Sequence, residues 1–132
     1  MREIILVGIG GFIGAILRYV LSSFIQNDNS TFPTGTLIVN FVGTLLLGLV
    51  VYSAEHFEFI SMDMRLFLSI GVLGAFTTMS TFGLETFRMF ESENYLLLFM
   101  YIVGTVTLVF AGMLIAKSTV EWFGVSALAT NG

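Results

Sequence analysis

No cysteine occurs in this chain, so disulfides are excluded and the redox compartment leaves no mark on the sequence. Charge is nearly as scarce. Only 11% of the 132 residues are Asp, Glu, Lys or Arg, against about 25% in an ordinary soluble domain. The one histidine, His56, falls in a connecting segment. No Ser/His/Asp set and no cluster of metal-ligating side chains can be assembled, so an enzyme is not expected. No basic patch points to nucleic acid. The net charge of −4 sits mostly in short connections and ends, and says little about partners. The one proline, Pro33, stands where a helix is expected to begin.

What fills the chain instead is apolar: 56% of residues are hydrophobic, and the mean hydropathy is +0.96. This composition reads as an all-α membrane protein. Four segments stand out, Ile4–Ile25, Pro33–Ser53, Arg65–Phe90 and Tyr95–Lys117. Each is about 20 residues or longer, enough to cross a hydrocarbon core of roughly 30 Å. The length allows one small bundle, so residues 1–132 read as a single four-helix transmembrane domain. The first segment is read as a retained helix, because it runs past signal-peptide length without a small-residue cleavage site. A short interfacial helix is expected around Phe57-Glu58-Phe59-Ile60, and Trp122 suits an interfacial belt.

The chain is organised around Gly71–Glu85, in the third segment. This stretch carries four hydroxyls, Thr77, Thr78, Ser80 and Thr81, with glycines and the carboxylate of Glu85. A lipid-facing helix has no use for such groups, since an unsatisfied polar group in hydrocarbon costs several kcal/mol. The third helix is therefore expected to break near its centre, at Ala75–Thr81. A break presents backbone carbonyls and a half-helix N-terminus, both of which can bind ions.

Other polar residues lie at membrane depth. Arg18 sits about two turns inside the first helix, where it either snorkels or faces a cavity or partner. Glu85 lies at similar depth, and an Arg18–Glu85 pair is geometrically open. Thr36 and Asn40 are i, i+4 on the second helix and share a face. Asn40 reads either as hydrogen-bond glue between helices or as a donor aimed at an anion. Met79 and Phe82 share one face of the third helix, with Ser80 and Thr81 pointing elsewhere. A Met/Phe stripe is ordinary packing, but a ring edge carries partial positive charge and can face an anion. Tyr101 and Thr105, i, i+4 on the fourth helix, either close a polar groove or bond to a neighbour. Gly10 and Gly14 form a G-x-x-x-G that permits close helix approach.

Orientation is weakly specified. Arg2, Arg65 and Lys117 fall on the side of the termini; Arg88, and Arg18 within the first helix, fall toward the other. The positive-inside rule needs an excess that is barely present. Single insertion with weak signals and insertion in both orientations, paired antiparallel, both remain open.

Three motifs together are specific: Gly10-Gly11-x-x-Gly14-x-x-x-Arg18-Tyr19, Gly35-Thr36-Leu37-x-x-Asn40-x-x-Gly43, and Gly71-x-x-Gly74-Ala75-Phe76-Thr77-Thr78-Met79-Ser80-Thr81-Phe82. In order and spacing they resemble the Fluc (CrcB-type) fluoride channels over nearly the whole chain. The resemblance implies an antiparallel, dual-topology homodimer in the plasma membrane. It encloses two narrow pores that let cytoplasmic fluoride leak out and so protects the cell. It implies a pore built from Asn40, Phe82, Ser80, Thr81, Thr36, Tyr101, Thr105 and Glu85, with Arg18 on the vestibule side. It also implies a structural Na+ at the dimer centre, held by backbone carbonyls of Gly74 and Thr77 from both subunits. The sequence departs from the family at Met79, where a first pore phenylalanine is usual, and at Ala75, where a second glycine is common. The competing reading is a proton-coupled small multidrug exporter, also four-span and dual-topology. It needs a membrane-embedded carboxylate, for which Glu3 is too terminal and Glu85 is the remaining candidate. A non-transporting scaffold subunit would not explain the hydroxyl-rich break.

Overall fold

The computed structural model describes residues 1–27, 30–56 and 60–130, with side chains through residue 124. All the regular elements among these residues are helical. Four helices are long and apolar enough to cross a membrane. The first is Arg2–Ile25, the second Thr34–His56, the third span Met62–Glu91 and the fourth Tyr95–Thr130. The interfacial helix expected around Phe57-Glu58-Phe59 lies outside the described residues.

The short connections are held by side chains. Gln26 ends the first helix and reaches over the loop. Its Nε2 donates to the Phe32 carbonyl at 3.3 Å, and its Oε1 accepts from Gly35 N–H at 3.1 Å. The start of the second helix is thereby tied to the end of the first. Pro33 immediately precedes that helix, and its carbonyl accepts from Leu37 N–H. At the start of the third span the Ser61 hydroxyl accepts from Met64 N–H, an N-terminal cap. Glu93 makes the turn into the fourth helix with a φ of 57°.

The third span is broken, as the hydroxyl-rich stretch requires. It comprises Met62–Leu66, a π-helical stretch Phe67–Leu73, one α-helical turn Gly74–Phe76, and a second helix Met79–Glu91. Thr77 and Thr78 between them are extended, with ψ of 157° and 117°. The break falls inside Ala75–Thr81, the interval expected from the sequence.

Packing of the first helix on the π-helical stretch depends on glycine. A Cβ at Gly10 would lie 2.7 Å from the Phe67 carbonyl oxygen, and one at Gly14 would overlap the Val72 carbonyl. Both neighbours are backbone, which cannot rotate aside. The second and fourth helices form the other principal contact. There Gly48 meets Ala116 and Met113, and Gly112 meets the Phe41 ring. Small residues at such seams let backbones approach where no hydrophobic effect drives helices together. The outward surface is large and apolar, with Ile4, Phe12, Phe24, Phe99 and Phe110 exposed.

The terminal side carries ion pairs. Arg2 meets Asp63 at 2.5 Å, Arg65 meets Glu55 at 3.8 Å, and Lys117 meets Glu121 at 3.8 Å. These exposed pairs contribute no more than about 1 kcal/mol each. The fourth helix runs past Lys117 to Thr130. Its 36 residues span roughly 54 Å at the α-helical rise, well beyond one hydrocarbon core.

Candidate functional site

The break is held open by Asn40. Its Nδ2 donates to the Thr78 carbonyl at 3.1 Å, and its Oδ1 accepts from Thr78 N–H at 2.8 Å. In an unbroken helix Thr78 N–H would bond to the Gly74 carbonyl. The side-chain amide has taken that donor and left the Gly74 carbonyl without its helical partner. One Asn thus satisfies both backbone groups of Thr78, an extended residue at membrane depth. Each such bond contributes about 1 kcal/mol net, and an orphaned buried group would cost ~1–3 kcal/mol. An amide carries two donor hydrogens, and the clasp uses one.

Thr78 also starts the second half-helix. Its Oγ1 accepts from Thr81 N–H at 3.2 Å, and lies 2.9 Å from the Thr81 hydroxyl and 3.3 Å from the Ser80 hydroxyl. The N-terminus of Met79–Glu91 therefore opens at the break with three hydroxyls around it. A helix N-terminus carries partial positive charge and accommodates anions.

Glu85 lies two turns further on. The Thr36 hydroxyl donates to its Oε1 at 2.8 Å, and the Tyr101 hydroxyl donates to its Oε2 at 2.6 Å. Both carboxylate oxygens are engaged, and the Arg18–Glu85 pair left open by the sequence does not form. Among the described residues no carboxylate pairs with Arg18. It lines a cavity of about 230 Å³ with Ser22, Thr36, Thr78 and Thr81. An adjoining polar cavity of about 370 Å³ is lined by Ser22, Ser23, Gln26, Thr36, Thr81 and Glu85. Hydroxyls from three spans and the Arg18 side chain thus converge on one side of the break.

On the other side lies an open, mostly apolar groove of about 560 Å³ between the second and fourth helices. Asn40, Thr44, Thr78, Met79, Phe82 and Thr105 line it. Met79 and Phe82 share this groove, as their i, i+3 spacing requires. Their burial differs: Met79 is 77% exposed and Phe82 9%. The Phe82 ring leans on the fully buried Tyr101, centroids 5.1 Å apart at 48°, and Phe32 meets Tyr101 edge-on at 5.6 Å. Phe82 is thereby held against the core, and Met79 stands outside it. Thr105 is buried, and its hydroxyl finds no partner among the described residues.

The structure brings together Asn40, Phe82, Met79 and Thr105 around the groove, and Arg18, Thr36, Thr81 and Glu85 around the polar cavities. Tyr101 joins the two sets through Phe82 and Glu85. Ser80 sits at the break itself, and Gly74 and Thr77 belong to the short turn that precedes it. Sequence reasoning passed over Thr44 and the backbone of Thr78. Thr44 was findable, since it continues the i, i+4 row of Thr36 and Asn40. Nothing local foretold that Asn40 would reach Thr78, 38 residues away.

Four membrane-capable helices, the third of them polar and interrupted, define a small multi-pass membrane protein. The family model described as CrcB-like protein, Camphor Resistance (CrcB), matches residues 5–117, and the chain belongs to this family. It is 55% identical over 106 residues to the fluoride-specific ion channel FluC 1 of Methanosarcina acetivorans, covering 80% of this chain and 81% of that one. It is 45% identical over 132 residues to FluC 3 of Methanosarcina barkeri, covering all of this chain and 98% of the relative. A third relative, the fluoride-specific ion channel FluC of Methanococcus aeolicus, is 40% identical over 120 residues, 88% of this chain and 96% of its own.

Proposed function

We propose that this chain is a fluoride channel that lets cytoplasmic fluoride leave down its gradient across the plasma membrane, as an antiparallel dimer of two copies. The observation that carries the reading is the file of neutral hydroxyls, ending on an amide, at the break. It runs from the polar cavity beside Arg18 through Thr36 and Thr81 to Thr78 and Asn40. Fluoride is small and strongly hydrated, so donors must replace its water. Hydroxyls and amides can do so without trapping the ion, and conduction needs release as well as binding. Arg18 raises the local anion concentration at the mouth, and the Phe82 ring edge lines the narrow part. Met79 fills the remaining apolar position with a flexible side chain.

The open groove supports the dimer: Met79, Val106 and Phe110 along it are exposed on the outside of a single copy. A second copy laid antiparallel against it would enclose them. The family's Na+ also fits these residues. The Gly74 carbonyl has lost its helical donor to Asn40, and carbonyl oxygens are suitable ligands for a hard cation. Gly74 and Thr77 of both copies would hold it, and the ion would supply a structural tie at the dimer centre.

The test is anion efflux from liposomes containing the purified protein. Fast, fluoride-selective efflux without a proton gradient is expected. Proton-dependent drug transport with no fluoride flux would replace this reading with an exporter. That mechanism would have to release Glu85 from the two hydroxyls that hold it.

A further inference from the structure

We propose that Thr44 is a further donor on the ion path, forming with Asn40 and Thr105 a three-point site for a small anion. The inference rests on the channel reading above and goes beyond the residues that the family resemblance assigns. Thr44 lies one turn after Asn40 on the second helix and is 9% exposed. Residues four apart share a helix face, and both line the groove against the fourth helix. Most neighbours there are apolar, among them Leu47, Val109 and Met113.

Three polar groups with unused capacity meet in this groove. Asn40 has spent one amide hydrogen on the Thr78 carbonyl and keeps the other. The Thr105 hydroxyl is more than nine-tenths buried and has no partner among the described residues. The Thr44 hydroxyl bonds to no described residue. A mid-helix threonine can return its hydroxyl to the carbonyl four residues back, as Thr77 and Thr119 do. Thr44 does not. An apolar wall with three unspent donors is unstable without something to accept from them. Neutral donors converging from two helices suit a small, hard anion, and carry no charge that would retain it. The site would take the ion as it leaves Asn40, on the stretch where Met79 offers no donor.

The test compares fluoride efflux per reconstituted dimer for wild type, Thr44→Val and Thr44→Ser, with gel filtration to confirm assembly. Valine keeps the shape and removes the donor; serine keeps the donor. Losing one such bond should lower flux about 5-fold in Thr44→Val, and Thr44→Ser should stay near wild type. The half-saturating fluoride concentration should rise in the valine variant alone. If Thr44→Val does not assemble, Thr44→Ser and Thr44→Ala, which differ by one hydroxyl, decide the matter the same way. Equal flux with and without the hydroxyl, in a protein whose wild type conducts fluoride, overturns the role of Thr44 and leaves the channel reading intact. No fluoride flux in wild type overturns both.

Discussion

Asn40→Asp separates the two duties of this residue. The carboxylate has nearly the same shape. It keeps an acceptor for Thr78 N–H, now bonded at 2.8 Å. It replaces the donor that reaches the Thr78 carbonyl at 3.1 Å with a second acceptor, and it removes the amide hydrogen left for an ion. A buried carbonyl stripped of its donor costs ~1–3 kcal/mol, with a further penalty when the facing oxygen is charged. That alone weakens the hold on the Thr78 carbonyl roughly 5- to 150-fold, while the bond to Thr78 N–H is kept. An anion meeting a carboxylate instead of an N–H faces repulsion as well. The two effects act together on flux, which should fall at least about tenfold. The assay is initial fluoride efflux per reconstituted dimer, with thermal unfolding in detergent run beside it. A lower melting point is expected, because one of the two clasp bonds is gone. Wild-type flux together with an unchanged melting point would refute the clasp as both support and ion contact.

The ring edge of Phe82 is tested by Phe82→Ile, which keeps apolar bulk; efflux should fall roughly 2- to 12-fold, the range expected for one aromatic contact. Met79→Leu should change little and Met79→Phe should be tolerated, because Met79 is mostly exposed in a single copy; equal small effects at both positions would make the stripe packing alone. Gly14→Ala drives a Cβ into the Val72 carbonyl, so a loss of about 1–3 kcal/mol is expected, read as reduced melting temperature and monodisperse yield. Gly8→Ala, with nothing within 4 Å of the added carbon, is the neutral control. Two lysines added after Gly132 should bias insertion to one side and lower activity, and an oppositely biased copy should restore it. Full activity from a strictly single-orientation population would refute the antiparallel dimer.

The four spans and the position of the break were legible because each follows from local composition: apolar length for the spans, crowded hydroxyls for the break. The second helix, expected from Pro33, begins at Thr34. The π-helical stretch Phe67–Leu73 was not legible, since no residue pattern demands it. It forms against glycines of a different helix, Gly10 and Gly14. The partner of Glu85 was misjudged for a related reason. Charge favours Arg18 as its neighbour, but the fold delivers the Thr36 and Tyr101 hydroxyls first, and two neutral donors fill both carboxylate oxygens. Arg18 then remains available to the cavity it lines. Polar residues could be placed at membrane depth from sequence, but their pairing could not, because each pair joins segments far apart in the chain.

The Asn40 clasp also links the two ion chemistries proposed for this protein. By accepting from Thr78 N–H, the amide oxygen draws that donor away from the Gly74 carbonyl. The same amide's nitrogen keeps one hydrogen for the proposed anion path. Oxygen and nitrogen therefore serve opposite charges, and a substitution that alters only one should affect only one ion. Asn40→Asp retains the oxygen that accepts from Thr78 N–H, so the Gly74 carbonyl stays released and the cation site should survive. In detergent, Na+ should raise the melting temperature of Asn40→Asp by about as much as that of wild type, by linkage to a retained site, while fluoride flux is lost. If Na+ stabilises wild type and not Asn40→Asp, the carbonyl is not freed by the oxygen of Asn40, and the break must be held open by the Thr78 cap instead.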